Sequence, residues 1–171
     1  EVVLKLGDDV STDAIFPGRF MATVLPEETP QYAFADYPEF NARLRAKKIL
    51  PGSVVAAGYN FGCGSSREQA ASALKGHDLV IVARSYARIF MQNAVNLGLQ
   101  LLICPEFEVR EGELLELSTD RIINTNTKAV YLLEPLPKAR RAIIAAGGLI
   151  PYTRARLVAG RQPPVASKKS E

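Results

Sequence analysis

The residues best suited to chemistry lie between positions 59 and 68, where the chain reads Tyr59-Asn60-Phe61-Gly62-Cys63-Gly64-Ser65-Ser66-Arg67-Glu68. Gly62 and Gly64 allow backbone amides to come close to a ligand. From Arg67 the residues Glu68-Gln69-Ala70-Ala71-Ser72-Ala73-Leu74-Lys75 form a good helix sequence closed by Gly76. A loop that runs into a helix start and carries an arginine makes an anion site. The positive dipole end and the guanidinium both favour negative charge, and a guanidinium grips a carboxylate through two parallel hydrogen bonds. The same residues also fit a plainer role. Ser65-x-x-Glu68 is a capping box and Ser66-x-x-Gln69 offers a second register, and on spacing alone such serines are more often helix caps than reactive groups. A phosphate-binding loop fits less well, because the Lys-Ser/Thr ending is missing. A serine hydrolase fits worse still. The Gly-x-Ser-x-Gly elbow is absent, and the single histidine, His77, follows Gly76 at a helix end, where a solvated or C-capping role is expected.

These groups need a scaffold, and the flanking pattern supplies one. Residues 54–57 form a buried strand after the turn Pro51-Gly52, and residues 78–83 and 99–103 form two more, the last ended by Pro105. Between them, residues 86–97 have helical spacing, with Ile89, Phe90, Ala94 and Leu97 on one side and a stop at Gly98. Strand, helix, strand, helix, strand is the grammar of a parallel α/β unit with right-handed crossovers, in which loops after the strands place ligands. Upstream, residues 2–6 read as an edge strand and residues 7–13 as a polar turn-rich loop. Pro26, Pro30 and Pro38 mark residues 20–38 as a mobile loop with at most a short helix near 29–35. Downstream, residues 113–117, 121–124 and 129–133 are short strands, and 137–146 is a last helix closed by Gly147-Gly148.

Composition narrows the function classes. The 171 residues suit one domain with a sizeable core, and 47% apolar with 23% charged residues is ordinary for a globular protein. A net charge of +3 is modest and the basic residues are scattered; Lys168 and Lys169 are too few to argue for nucleic acid. The apolar runs at 79–83 and 99–104 are strand-sized, far short of the roughly 20 residues of a membrane span. The amino end shows no secretory pattern, but it lacks methionine, which leaves a processed leader open. Cys63 and Cys104 make no disulfide framework and cannot alone hold an iron–sulfur cluster, and one histidine excludes most histidine-based metal sites. The cytoplasm is the expected compartment, and any metal must come from elsewhere.

Four segments in order resemble the swivelling domain of the aconitase superfamily. Gly62-Cys63-Gly64-Ser65-Ser66-Arg67-Glu68 is similar to its Gly-x-Gly-Ser-Ser-Arg-Glu signature. Gly7-Asp8-Asp9-Val10-Ser11-Thr12-Asp13-Ala14-Ile15 resembles its Gly-Asp-x-x-x-Thr-Asp-x-Ile. Arg84-Ser85-Tyr86-Ala87-Arg88-Ile89-Phe90 with Asn93 and Asn96-Leu97-Gly98 is a further match. Ala145-Ala146-Gly147-Gly148-Leu149-Ile150 is similar to the ending of stand-alone isopropylmalate dehydratase small subunits. Order and spacing hold over about residues 1–157.

The resemblance implies a swivelling β/β/α domain of the α/β class over residues 1–160, and the Pro163-Pro164 and Ser-Lys composition of 161–171 reads as a frayed, disordered tail. It implies a hydro-lyase subunit, active only with a large subunit that carries a [4Fe–4S] cluster, in a heterodimer or heterotetramer, and no metal on this chain. By motif position Ser65 is the base that removes a carbon-bound proton, Ser66 donates a supporting hydrogen bond, and Arg67 holds a substrate carboxylate. Thr12 and Asp13 line the same cleft, or Asp13 only orders its turn. Arg88 stabilises packing, or pairs with the loop, and Cys63 fills space in the loop. Relatives read the substrate's variable group with the segment that is here Arg19-Phe20-Met21-Ala22-Thr23, where homoaconitase-like members show Tyr-Leu-Arg-Thr. An apolar loop suits an isopropyl-substituted malate, since an unpaired buried carboxylate is costly. Arg19 leaves open an acidic substituent, as in homoaconitate, or a methyl-substituted malate such as the citraconate hydratase substrate. A non-catalytic swivel or binding module is the alternative from another class.

Overall fold

Short Val-, Ile- and Leu-rich stretches pair side by side into one parallel sheet. β1 (Val2–Lys5), β2 (Val54–Ala57), β3 (Val80–Ala83) and β4 (Gln100–Ile103) lie in that order. The structure is a computed structural model that describes residues 1–160, so the tail expected at 161–171 lies outside the described residues. Val54, Val80 and Gln100 are in register at one end, and Ala57, Ala83 and Ile103 at the other. β1 occupies the edge expected of it.

Both faces of this sheet are covered, as a parallel sheet requires. On one face Val55, Ala57, Ile81 and Ala83 pack with α3 (Glu68–Gly76) and α4 (Arg88–Leu97), through Ala70, Ala71, Leu74, Phe90 and Ala94. On the other, Val54, Ala56, Val80 and Val82 pack with Phe107, Val109 and Ile122. Ile122 belongs to a small antiparallel sheet of β5 (Leu115–Leu117), β6 (Arg121–Asn124) and β7 (Val130–Leu132). Helices, parallel sheet and antiparallel sheet thus form the three layers of the expected α/β class.

Several details refine or depart from the sequence expectations. Thr12–Ile15 is a single helical turn, α1, because Ser11 Oγ accepts from the Ala14 amide at 3.1 Å. Residues 20–38 carry the short helix expected near 29–35 as a 3-10 turn over Thr29–Tyr32, with Thr29, Ala33 and Phe34 buried, and a further 3-10 turn spans Gly18–Phe20. A helix that the spacing did not suggest, α2 (Pro38–Arg45), starts at a proline suited to a first turn and buries Phe40 and Leu44, one turn apart. On α4 the buried residues are Phe90, Ala94 and Val95, whereas Ile89, expected inside, is 47% exposed.

A further helix lies past the last one expected. α5 (Lys138–Ala145) is the expected last helix, but α6 (Leu149–Gly160) follows it directly. The joint sits against the end of α4: a side chain at Gly148 would come within 2.6 Å of the Asn96 carbonyl oxygen. Glycine is required there by lack of room as well as by a φ of +122°.

Candidate active site

β2 ends at Ala57, and the loop that follows is tied down on two sides. On one side it joins the segment after β1. Gly58 N donates to Gly7 O at 3.0 Å, Tyr59 N to Asp8 Oδ1 at 2.7 Å, and Gly62 N to Val10 O at 2.7 Å. On the other it joins the segment after β3. Asn60 N donates to Ser85 Oγ at 2.8 Å, Phe61 N to Ser85 O at 3.0 Å, and Ala87 N to Phe61 O at 2.9 Å. The three motif segments nearest the amino end therefore converge at the carboxyl ends of the strands, where α/β folds place ligands.

Buried aromatics hold the loop from below. Phe61, fully buried, meets Phe90 edge-on with ring centroids 5.2 Å apart. Gly62, at φ +81°, passes directly over Phe90, and a side chain there would lie 2.2 Å from its ring. Tyr86 anchors the neighbouring turn through its hydroxyl, which lies 2.8 Å from Ile81 O and 3.0 Å from Leu102 O. Burial pushes the pKa of that phenol well up, which removes it as a base.

Past Gly64 the chain turns outward. Ser65 and Ser66 are exposed. Neither caps the helix: the residue preceding α3 is Arg67, and no side-chain hydrogen bond satisfies its first turn. The capping-box expectation is thereby corrected. The Arg67 amide turns back to Ser65 O at 2.8 Å, which points the chain away from the geometry a serine cap needs. The Glu68 and Gln69 amides fall in the first turn of α3, where no helix can satisfy them internally.

Arg67 faces the first motif segment. Its Nη1 donates to the Phe16 carbonyl at 3.1 Å and forms an ion pair with Asp13. Asp13 also accepts from Gly18 N at 2.9 Å. The Arg67 hydrogen bond first, and the Gly18 amide second, hold the Asp13 carboxyl below its ordinary pKa. Thr12 is 1% exposed, donates to Ser65 O at 3.0 Å, and through its amide reaches Cys63 O at 2.8 Å.

Residues 19–106 match the family described as the aconitase C-terminal domain. The chain belongs to the aconitase C-terminal domain family. It is 40% identical to the 3-isopropylmalate dehydratase small subunit of Heliobacterium modesticaldum, over 93% of this chain and 96% of that one. It is also 41% identical to the methanogen homoaconitase small subunit of Methanocaldococcus jannaschii, over 89% of each. A crystal structure of 3-isopropylmalate dehydratase from the same archaeon superposes with a TM-score of 0.83 at 39% identity, covering 93% of this chain and 95% of the other.

Within this aconitase C-terminal domain the remaining expected residues fall unevenly. Arg19 donates to both carboxylate oxygens of Asp36 and does not reach the serines. Phe20 stacks on Tyr32, while Met21 and Ala22 are exposed and Thr23 is half-buried. Arg88 opens α4 as an exposed residue, which does not support the packing role expected of it. Cys63 is half-buried with Sγ 3.3 Å from Asp9 O, as a loop filler would be. His77 follows α3 as its C-cap, and its Nε2 lies 2.9 Å from Pro30 O. Asp9 and Asn60, both at positive φ and joined by a 2.7 Å hydrogen bond, escaped sequence reasoning. Their signal was residue type, since Asp and Asn tolerate that region best among side-chain-bearing residues. A groove of about 770 Å³, lined by Leu117, Leu133, Leu136 and Ile144, opens near Gly52 and Gln100, at the other end of the strands.

Proposed function

We propose that this chain is the small subunit of a hydro-lyase that interconverts 2-isopropylmalate and 3-isopropylmalate through 2-isopropylmaleate in leucine biosynthesis. One observation carries the proposal: Ser65 and Ser66 stand exposed at the mouth of α3, unused as caps, beside a guanidinium. A non-catalytic module gains nothing from that exposure.

In this reading Ser65 takes the carbon-bound proton. A serine hydroxyl is far too weak a base by itself, so its alkoxide must be stabilised. The first-turn amides of α3, Arg67 and the exclusion of water on docking are the available means. Ser66 donates a supporting hydrogen bond. Arg67 holds a substrate carboxylate with the N–H groups that Asp13 and Phe16 leave free, which limits rotation while the proton departs. Thr12 fixes the Ser65 backbone, and Asp13 aims Arg67.

The [4Fe–4S] cluster belongs, in this proposal, to the large subunit of a heterodimer or heterotetramer, where it supplies the Lewis acid for the substrate hydroxyl. Residues of this chain do not suit such a cluster. Among those described, no group of three or more His, Cys, Asp or Glu gathers as a metal set, and Cys104 is buried in the second core, away from the Cys63 loop. Residues 1–160 act as one swivelling domain in the cytoplasm, where both free thiols stay reduced.

The substrate follows from the loop after Pro17. Its tip presents Met21 and Ala22, and an apolar tip fits an isopropyl group better than a second carboxylate. A homoaconitate-type substrate is the second reading, favoured by the homoaconitase relative. The deciding assay combines this chain with its large subunit under anaerobic conditions and compares isopropylmalate, homoaconitate and citraconate. The isolated chain is expected to be inactive and colourless. Strong turnover by the isolated chain would refute the split site, and a preference for homoaconitate would replace the substrate.

A further inference from the structure

Arg19 is the cation beside the apolar tip of the proposed specificity loop. Its guanidinium donates to Asp36 Oδ2 at 3.2 Å and to Asp36 Oδ1 at 2.5 Å. It also lies 4.6 Å from the centroid of the Phe20 ring. Phe20 stacks on Tyr32 at 4.1 Å and 15°, and Tyr32 meets the fully buried Phe16 edge-on. The guanidinium is therefore held in its plane by a carboxylate and from below by a ring that is itself supported by the core.

The two side chains are 54% and 50% exposed, so the pair contributes little to stability. Its larger effect is on charge and geometry. Both terminal nitrogens of Arg19 are taken by Asp36, so its planar fork is occupied, whereas Arg67 engages Asp13 and Phe16 through Nη1 alone. The other carboxylate facing Arg19 is Asp13, which Arg67 and Gly18 N engage, so the charges alternate along the row Asp36, Arg19, Asp13, Arg67.

We infer that Asp36 is a specificity-determining residue, acting through Arg19. By occupying the guanidinium it keeps a cation from the substrate's variable group and biases the site toward apolar substituents over carboxylate-bearing ones. The inference rests on the isopropylmalate reading of the site and extends it to a residue outside the loop. Asp36 is thus a positioning residue, not a catalytic one.

The test uses the full chain combined with its large subunit. kcat/KM is measured for 2-isopropylmalate and for a malate bearing a carboxyalkyl group. Asp36→Asn should raise the ratio in favour of the carboxylated substrate about tenfold. Asp36→Glu should keep the wild-type ratio, and adding Arg19→Gln to Asp36→Asn should abolish the gain. An unchanged ratio overturns the inference. So does an equal fall on both substrates, because Arg19 would then have turned to Asp13. In the isolated chain, the Arg19 guanidinium ¹H–¹⁵N signal should be resolved in wild type and lost in Asp36→Asn; its absence in wild type also overturns the inference. Wild-type turnover of neither malate would sink the substrate reading, whereas wild-type turnover with an unaltered ratio sinks the role of Asp36 alone.

Discussion

The hydroxyl of Thr12 donates at 3.0 Å to the carbonyl oxygen of Ser65, a residue 53 positions away in sequence. The Thr12 amide donates to Cys63 O at 2.8 Å, so one buried residue grips the chain on both sides of Gly64. Thr12→Val should destabilise the fold by about 1 kcal/mol, since Ser65 O keeps its bond from the Arg67 amide. Turnover of the reconstituted pair should fall further than that loss explains, and Thr12→Ser should restore it. Urea denaturation beside kinetics separates the two effects; full turnover in Thr12→Val would show that Ser65 is placed some other way.

Ser65→Ala should leave stability within about 0.5 kcal/mol of wild type, because no cap is lost. Turnover and proton exchange at the substrate carbon should drop roughly 100- to 10,000-fold, with subunit pairing intact. Near-native turnover would demote Ser65 to scenery.

Asp13 gives a pH signature. Its carboxyl is held below the ordinary aspartate pKa, chiefly by Arg67. A folded-state pKa below the unfolded one contributes stability that is fully present above the unfolded value. That contribution disappears as the pH falls through the depressed folded value. Carboxyl ¹³C titration of the isolated chain should place the Asp13 midpoint below that of an ordinary aspartate, and Arg67→Gln should move it upward. An unmoved midpoint in that variant would contradict the ion pair. For catalysis, Arg67→Lys should raise KM, since an ammonium cannot reproduce the fork.

Gly62→Ala should destabilise by about 2–4 kcal/mol, combining left-handed backbone strain with overlap on Phe90. Chemical denaturation measures it directly, and a neutral result would mean that Phe90 gives way.

Ala22→Arg places a cation at the loop tip. It should shift the kcat/KM ratio toward a carboxylate-bearing malate. Equal effects on both substrates would take this segment out of substrate reading.

Much of the scaffold was legible because its strands are short apolar runs between clear helix stops. Residues 80–83 and 100–103 leave few alternatives once Gly76 and Gly98 end the helices before them. The serine loop was legible as a motif but ambiguous as geometry. Whether Ser65 caps α3 depends on where the helix starts, and that start is moved to Glu68 by the Arg67 amide turning back to Ser65 and by the Thr12 contact. Neither is a local signal. α2 was missed because Phe40 and Leu44 alone mark its buried face, and α6 because its apolar residues are spread around the axis: Leu149, Ile150, Leu157 and Val158 all remain exposed. The pairing of Arg19 with Asp36 joins residues 17 apart, a contact that no local pattern signals.

β2 is apolar on both sides, with Val54 and Ala56 facing one core and Val55 and Ala57 the other. A half-polar strand resists slipping because each single-residue step would drag polar groups into the interior; β2 has no such ratchet. Its alignment must be pinned at its ends, by the Val54 amide on Glu1 O and by the knot of Gly58, Tyr59, Gly7 and Asp8. The knot that starts the serine loop is therefore also the stop that fixes how far the loop protrudes, so wear at Asp8 would be felt as a change of reach.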